Sequence, residues 1–78
     1  MPHVVIKLLT GRPDAKKRRL AEAVTRAVME SVDCDADAVS VDIQDVATAD
    51  WTDRVYRQEI EPHLDRLFKK PGYRPDEP

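Results

Sequence analysis

The chain has 78 residues, a net charge of −2 from 13 basic and 15 acidic side chains, and one cysteine. Charges of both signs are spread along the chain, which argues against a nucleic-acid surface. No apolar run approaches the roughly 20 residues of a membrane-spanning helix, and the start lacks the pattern of a signal peptide. A lone Cys34 excludes a disulfide framework, and together with the distant His3 and His63 it provides no metal-ligand spacing. The composition therefore predicts one cytoplasmic domain without a metal.

The small size of the domain predicts self-association. A chain of this length buries only about 60% of the surface that its unfolded form exposes. Disulfides and metals are not available to stabilise it, so oligomerisation is the expected source of additional buried area.

The first predicted element is a strand over residues 2–9, PHVVIKLL, which Thr10 and Gly11 terminate. Its proline follows Met1 directly. Proline at the start of a strand costs no ladder hydrogen bond, so Pro2 can be inert. Once Met1 is removed, however, the Pro2 nitrogen is a secondary amine that can carry a proton. The strand alone leaves both interpretations open.

The second predicted element is a helix over residues 12–34. Pro13 suits its first turn, Asp14 suits the positive end of the helix dipole, and alanine is frequent in its interior. An apolar stripe is predicted at helical spacing. Its members are Leu20, Val24, Ala27, Val28 and Ser31 or Val32.

The remaining elements are a turn, a second strand and a helix that proline interrupts. DCDADA lacks the glycine and the distal glutamate of a calcium loop, so it is interpreted as a turn. Residues 39–46 alternate apolar and polar side chains, as a strand with one polar face does. ATADW, residues 47–51, is predicted to be turn-like. Residues 52–70 are predicted to be helical with a break after Ile60, because Pro62 follows. Residues 71–78 are predicted to be a loose tail.

The order of these elements predicts a β-α-β unit of the α/β (α+β) class with a C-terminal helix. Its strands should be parallel, joined by a right-handed crossover. Two parallel strands do not make a stable sheet alone. A second copy of the chain is therefore expected to contribute strands and cover.

The ordered set of residues resembles the 4-oxalocrotonate tautomerase family. It consists of Pro2 after Met1, a strand, Gly11-Arg12, an amphipathic helix, a second strand and an aromatic at Trp51. The chain also resembles the short bacterial tautomerases that form dimers, in the segments PHVVIK near its start and EIEPHLDRLFKKPGY near its end. The resemblance implies a single tautomerase-like domain over residues 1–78 that dimerises into a four-stranded sheet.

The resemblance also implies a chemistry, which is enol–keto tautomerisation of small 2-oxo acids without metal or organic cofactor. Pro2 would be the general base, Arg12 would bind the substrate carboxylate or polarise its carbonyl, and Trp51 would form a wall of the pocket. A base works best when its pKa lies near the working pH, and an apolar pocket lowers the pKa of an amine. Leu9, Val39 and Trp51 are the expected apolar surroundings. Trp51 could equally be a core anchor.

The chain departs from the hexameric members of that family at one position. Ser40 stands where they carry a second arginine on the second strand. Losing one charge-assisted hydrogen bond costs about 1.5–3 kcal/mol, so a monoacid such as phenylpyruvate enol is favoured over a dicarboxylate. Arg54 and Arg57 could substitute for the missing arginine. Tyr56 and Tyr73 could donate to an enolate, although no spacing singles either of them out.

Two other functions remain open from the sequence. A dehalogenase or hydratase on a related scaffold would need a carboxylate that activates water, for which Asp45 and Asp53 are candidates. A non-catalytic dimeric binding module would keep the fold without using the Pro2 amine.

Overall fold

The computed structural model describes residues 1–75 of the chain, in two compact units. The first unit spans Met1–Asp45, and the second begins at Val46. In chain order the elements are β1 (His3–Leu9), α1 (Asp14–Val32), a 3₁₀ turn (Ala36–Ala38), β2 (Ser40–Val46), α2 (Thr48–Trp51), a π-helical segment (Thr52–Ile60) and a 3₁₀ segment (Glu61–Arg66).

The two strands form a parallel two-stranded sheet in which β1 neighbours β2, and α1 lies between them in the chain. The N–H of Ser40 donates to the carbonyl of Pro2 at 3.0 Å, which ties the start of β2 to the residue before β1. This confirms the predicted β-α-β order, and both predicted strands agree with the observed ones within one residue. Val4, Ile6 and Leu8 are partly buried, whereas Val5 on the opposite face is 48% exposed.

Helix α1 begins after Pro13, which has an extended backbone. It ends at Val32, and the next residue, Asp33, has a left-handed backbone and donates its N–H to the carbonyl of Met29. The predicted apolar stripe is only partly right, because Ala27, Ser31 and Val32 are exposed. Each residue turns a helix by about 100°, so Ala27 falls beside the partly buried face rather than on it. The partly buried residues of this face are Lys17, Leu20, Ala21, Val24, Thr25, Val28 and Met29.

Gly11 forms the connection between β1 and α1. Its φ of 124° lies in the region that glycine alone enters readily. A Cβ at this position would meet no heavy atom within 4 Å. Glycine is therefore required here by backbone conformation and not by lack of space.

The second unit starts with a helix where the sequence predicted a turn. The prediction for residues 47–51 is wrong, because Ala47 is extended and Thr48–Trp51 is already α-helical. Threonine and aspartate favour turns, but they also suit the first turn of a helix. The Asp50 carboxylate also lies 3.9 Å from the Arg54 guanidinium, and an ion pair between residues four apart favours a helix.

The predicted interruption by Pro62 is confirmed. The N–H of Glu61 donates to the carbonyl of Tyr56, which is the spacing of a π-helix, and the chain then continues as a 3₁₀ segment. His63 departs from helical geometry, with φ −124° and ψ 16°. The helical path ends at Arg66 and not at Lys70 as predicted. Phe68, which follows that end, is fully exposed at 110%.

Three side chains are buried among residues 1–75, namely Val46, Val55 and Tyr56. In the same part of the chain, no helix combines the length and apolar character that crossing a membrane requires. The predicted loose tail extends over residues 71–78. Within its described part, Tyr73 is hydrogen-bonded to Trp51 and Pro75 to Thr52, and residues 76–78 lie outside the described part.

Candidate active site

Pro2 and Ser40 lie together at one end of the sheet. The backbone bond from Ser40 to Pro2 fixes the position of the partly buried proline, and Met1 before it is fully exposed at 102%. His3 Nδ1 lies 2.6 Å from Ser40 Oγ. Ser40, which is predicted to stand where hexameric tautomerases carry a second arginine, is therefore paired with the histidine that follows Pro2 in sequence.

Leu9 and Arg12 lie together at the opposite end of β1. The Arg12 Nη1 donates to the carbonyl of Leu9 at 3.0 Å, although the arginine is exposed. A guanidinium carries five N–H donors, so one bond to the backbone leaves donors for a carboxylate. The bond fixes the charged group at the end of the strand, immediately before α1.

The structure separates these two pairs along the strand. Pro2 and Leu9 are seven residues apart, and an extended strand rises about 3.3 Å per residue, so roughly 23 Å divide them. The Arg12 guanidinium is bonded to Leu9 and lies at the same distant end. Pro2 and Arg12 of one chain therefore cannot both contact one small substrate in this conformation.

Trp51 belongs to the second unit, where it is partly buried at the end of α2. Its indole Nε1 donates to Tyr73 Oη at 3.0 Å. The ring of Tyr73 in turn meets the ring of Tyr56 edge-on, with centroids 5.7 Å apart. Trp51 thus has both a packed environment and a specific hydrogen-bond partner.

The candidate carboxylates for water activation are both paired with cations. Lys17 Nζ donates to Asp45 Oδ2 at 2.6 Å, and Arg57 Nη1 donates to Asp53 Oδ1 at 3.0 Å. The Arg57 pair joins residues four apart on the helix surface, and both of its members are exposed. Neither carboxylate is placed beside Pro2 by these contacts.

A shallow open groove of about 290 Å³ lies between the first turns of α1 and β2. The residues that line it are Asp14, Lys17, Arg18, Ala21, Val41 and Ile43. It includes none of the predicted site residues of the first unit, which are Pro2, Leu9, Arg12 and Ser40.

Two contacts at these sites escaped the sequence analysis. His3 pairs with Ser40, 37 positions later in the chain, which no local pattern indicates. Tyr73 was not distinguished from Tyr56, and only the folded chain shows that Tyr73 is the partner of Trp51. KKPGY, which contributes to the resemblance, was the available signal that residues near Tyr73 matter.

Comparison with known proteins identifies relatives over almost the entire chain. The family model described as "Tautomerase enzyme" matches residues 2–53. A "Probable tautomerase" from Xylella fastidiosa is 40% identical, over 94% of this chain and 89% of its own length. "Tautomerase PptA" from Cronobacter sakazakii is 34% identical, over 94% of this chain and 97% of its own length.

Solved structures agree with this assignment. TomN, a 4-oxalocrotonate tautomerase homologue in the tomaymycin biosynthetic pathway, superposes with a TM-score of 0.63 at 30% identity. The superposition covers 64% of this chain and 77% of TomN. The predicted β-α-β tautomerase fold is thereby confirmed. The chain belongs to the tautomerase family, and it is an isomerase.

Proposed function

We propose that this chain is a cofactor-independent keto–enol tautomerase of small 2-oxo acids that uses the Pro2 amine as general base and acid. The observation that carries the proposal is the placement of Pro2. Its carbonyl is held by the Ser40 N–H at the start of the sheet, and the residue that masks its nitrogen, Met1, is exposed to solvent. Removal of Met1 leaves the proline ring anchored through its carbonyl while its nitrogen becomes an amine.

The reaction needs one group that carries a proton between carbon and oxygen. In ketonisation, the amine takes the proton from the enol oxygen, and the electron pair of that bond forms the carbonyl. The C2=C3 π electrons then accept a proton at C3 from the Pro2 ammonium, which returns the amine to its starting state. Atoms and charge balance without a co-reactant. Because the proline ring is rigid and tied to β2, the amine is positioned before the substrate arrives.

Arg12 completes the site from a second copy of the chain. A planar guanidinium suits a carboxylate because it donates two parallel hydrogen bonds. Within one chain the roughly 23 Å between the ends of β1 prevents this contact with a substrate at Pro2. If β1 pairs antiparallel with β1 of a partner, the end that carries Arg12 meets the end that carries Pro2. Such pairing produces a four-stranded sheet with two equivalent sites.

A homodimer is the smallest assembly with these properties. It pairs the open edge of a two-stranded sheet, and the half-exposed Val5 provides apolar surface on the face that is otherwise uncovered. We expect sedimentation equilibrium at micromolar concentration to give the mass of two chains. A monomer would contradict the shared site. A stable hexamer would contradict the homodimer as the functional assembly.

The protein acts in the cytoplasm. Its preferred substrate is a monoacid. Ser40 contributes no charge, and its hydroxyl is paired with His3 rather than with a cationic side chain. The direct test is the ultraviolet decay of phenylpyruvate enol beside a dicarboxylic 2-oxo acid enol. We expect a kcat/KM about tenfold or more in favour of the monoacid, from one missing charge-assisted hydrogen bond. Equal rates would contradict the role of Ser40, and no catalysis of either enol would contradict the proposed function.

A further inference from the structure

The end of the described chain turns back onto the start of the helical part of the second unit. We name residues 71–75 the C-terminal clasp. Its Tyr73 accepts the indole hydrogen bond of Trp51 at 3.0 Å, and the Tyr73 ring stands at 61° to the ring of Tyr56. Tyr56 is only 7% exposed, so it is a fixed support for the clasp.

A second hydrogen bond closes the clasp beside the first. Thr52 Oγ1 donates to the carbonyl of Pro75, the last described residue. Thr52 follows Trp51 directly in sequence. Trp51 at the end of α2 and Thr52 at the start of the π-helical segment are therefore bonded to two points of the clasp, which restrains the indole ring of Trp51 and the residue that follows it.

The chemistry of the Trp51–Tyr73 contact makes it directional. An indole has one polar group, and that group only donates. Once Nε1–H points at Tyr73 Oη, rotation of the indole about its side-chain torsions breaks the bond. Packing alone fixes a ring much less specifically, because alternative orientations of an apolar ring bury similar areas. Tyr73 therefore determines which edge and which face of Trp51 remain available.

We propose that Tyr73 is a positioning residue for substrate selection, which holds the Trp51 indole as the wall that receives the side chain of an aromatic 2-oxo acid. The assignment rests on the proposed function, since it requires Trp51 to contact the substrate. The substrate class follows from the wall, because aromatic rings in offset or edge-on contact gain attraction beyond the area they bury. A short aliphatic 2-oxo acid has no ring to pack against an indole and gains nothing from the orientation of Trp51.

The first arm of the test uses fluorescence, since Trp51 is the one tryptophan of the chain. Tyr73→Phe removes the accepting oxygen and keeps the ring that meets Tyr56. We expect a shifted emission maximum and increased quenching by acrylamide. The matched control is Tyr56→Phe, which removes a hydroxyl that is not the partner of Trp51 and should leave both signals unchanged. Unchanged emission and quenching in Tyr73→Phe would overturn the proposal without any assay of activity.

The second arm compares two substrates in the same variants. For Tyr73→Phe we expect kcat/KM for phenylpyruvate enol to fall about threefold to tenfold, which is the range for loss of one neutral hydrogen bond. The fall should come through KM, while the enol of a short aliphatic 2-oxo acid changes less than about twofold. Equal losses for both enols would indicate a structural role and overturn the selection role. The Pro2-dependent limb of the pH–rate profile should not move.

A second variant keeps the proposal testable if Tyr73→Phe does not fold. Thr52→Val removes the other bond of the clasp and leaves Tyr73 intact. We expect the same changes in fluorescence and in the substrate ratio, with smaller amplitude. If wild-type protein catalyses neither ketonisation, the proposed function fails, while the fluorescence arm still decides whether the clasp positions Trp51.

Discussion

Protein that retains Met1 is expected to lose tautomerase activity by about 10²- to 10⁴-fold relative to protein that begins at Pro2, because that range is what a positioned acid–base group contributes. The reason lies in the nitrogen itself. In the Met1–Pro2 peptide its lone pair is delocalised into the carbonyl, so it cannot accept a proton near neutral pH. No arrangement of charges around the site can restore that basicity.

The chain is short enough for total chemical synthesis, which provides the matched comparison. Chains of residues 1–78 and 2–78 differ by Met1 alone, and intact mass verifies each. Phenylpyruvate enol decay is measured for both after refolding, and circular dichroism shows whether their folds agree. Treatment of the longer chain with methionine aminopeptidase should restore activity in proportion to the Met1 released. Equal activities of the two untreated chains would mean that Pro2 is not the base.

Arg12→Ala is expected to lower kcat/KM by about 10- to 100-fold, mainly through KM, since a hydrogen bond to a charged group contributes about 1.5–3 kcal/mol. The fold should survive, because the side chain is exposed and its described bond is to the nearby Leu9 carbonyl. Urea unfolding of the variant provides the control. A loss within about twofold would be too small for a carboxylate-binding arginine.

Mixing two impaired variants tests whether the site is shared between copies. If Pro2 of one chain works with Arg12 of its partner, a dimer of a Pro2→Ala chain and an Arg12→Ala chain contains one intact site. Random reassociation of equal amounts makes about half of the dimers mixed, so about a quarter of wild-type activity should return. If both residues act within one chain, mixing restores nothing. That outcome would contradict the antiparallel pairing of β1 strands.

The local pattern of the sequence was sufficient to predict the secondary structure of the first unit. Alternating apolar residues in 2–9 and 39–46 and the helical repeat between them predicted β1, α1 and β2, and these elements are observed. The start of α2 could not be predicted in the same way, because Thr48 and Asp50 suit a turn and a helix start equally well. The exposure of Phe68 follows from where the helical path stops, which periodicity does not indicate.

The candidate site was less accessible to sequence reasoning than the fold. Residue types and the resemblance to the tautomerase family identified Pro2, Arg12 and Trp51 as separate candidates. The separation of Pro2 from Arg12 follows from the predicted strand between them, whereas the surroundings of Trp51 depend on how the chain folds. The pairing of Trp51 with Tyr73 joins residues 22 positions apart. Only the path of the folded chain determines that contact.

The conformation of Gly11 has a consequence for anyone who redesigns the surface of this enzyme. By solvent exposure and free space, position 11 looks like a safe place for a label or a solubilising charge. Any L side chain there must either adopt a φ of 124°, at a strain of about 1–3 kcal/mol, or rotate the backbone away from it. Rotation redirects the next residue, Arg12. Surface libraries should therefore treat this open loop position as fixed, as they would treat a buried one.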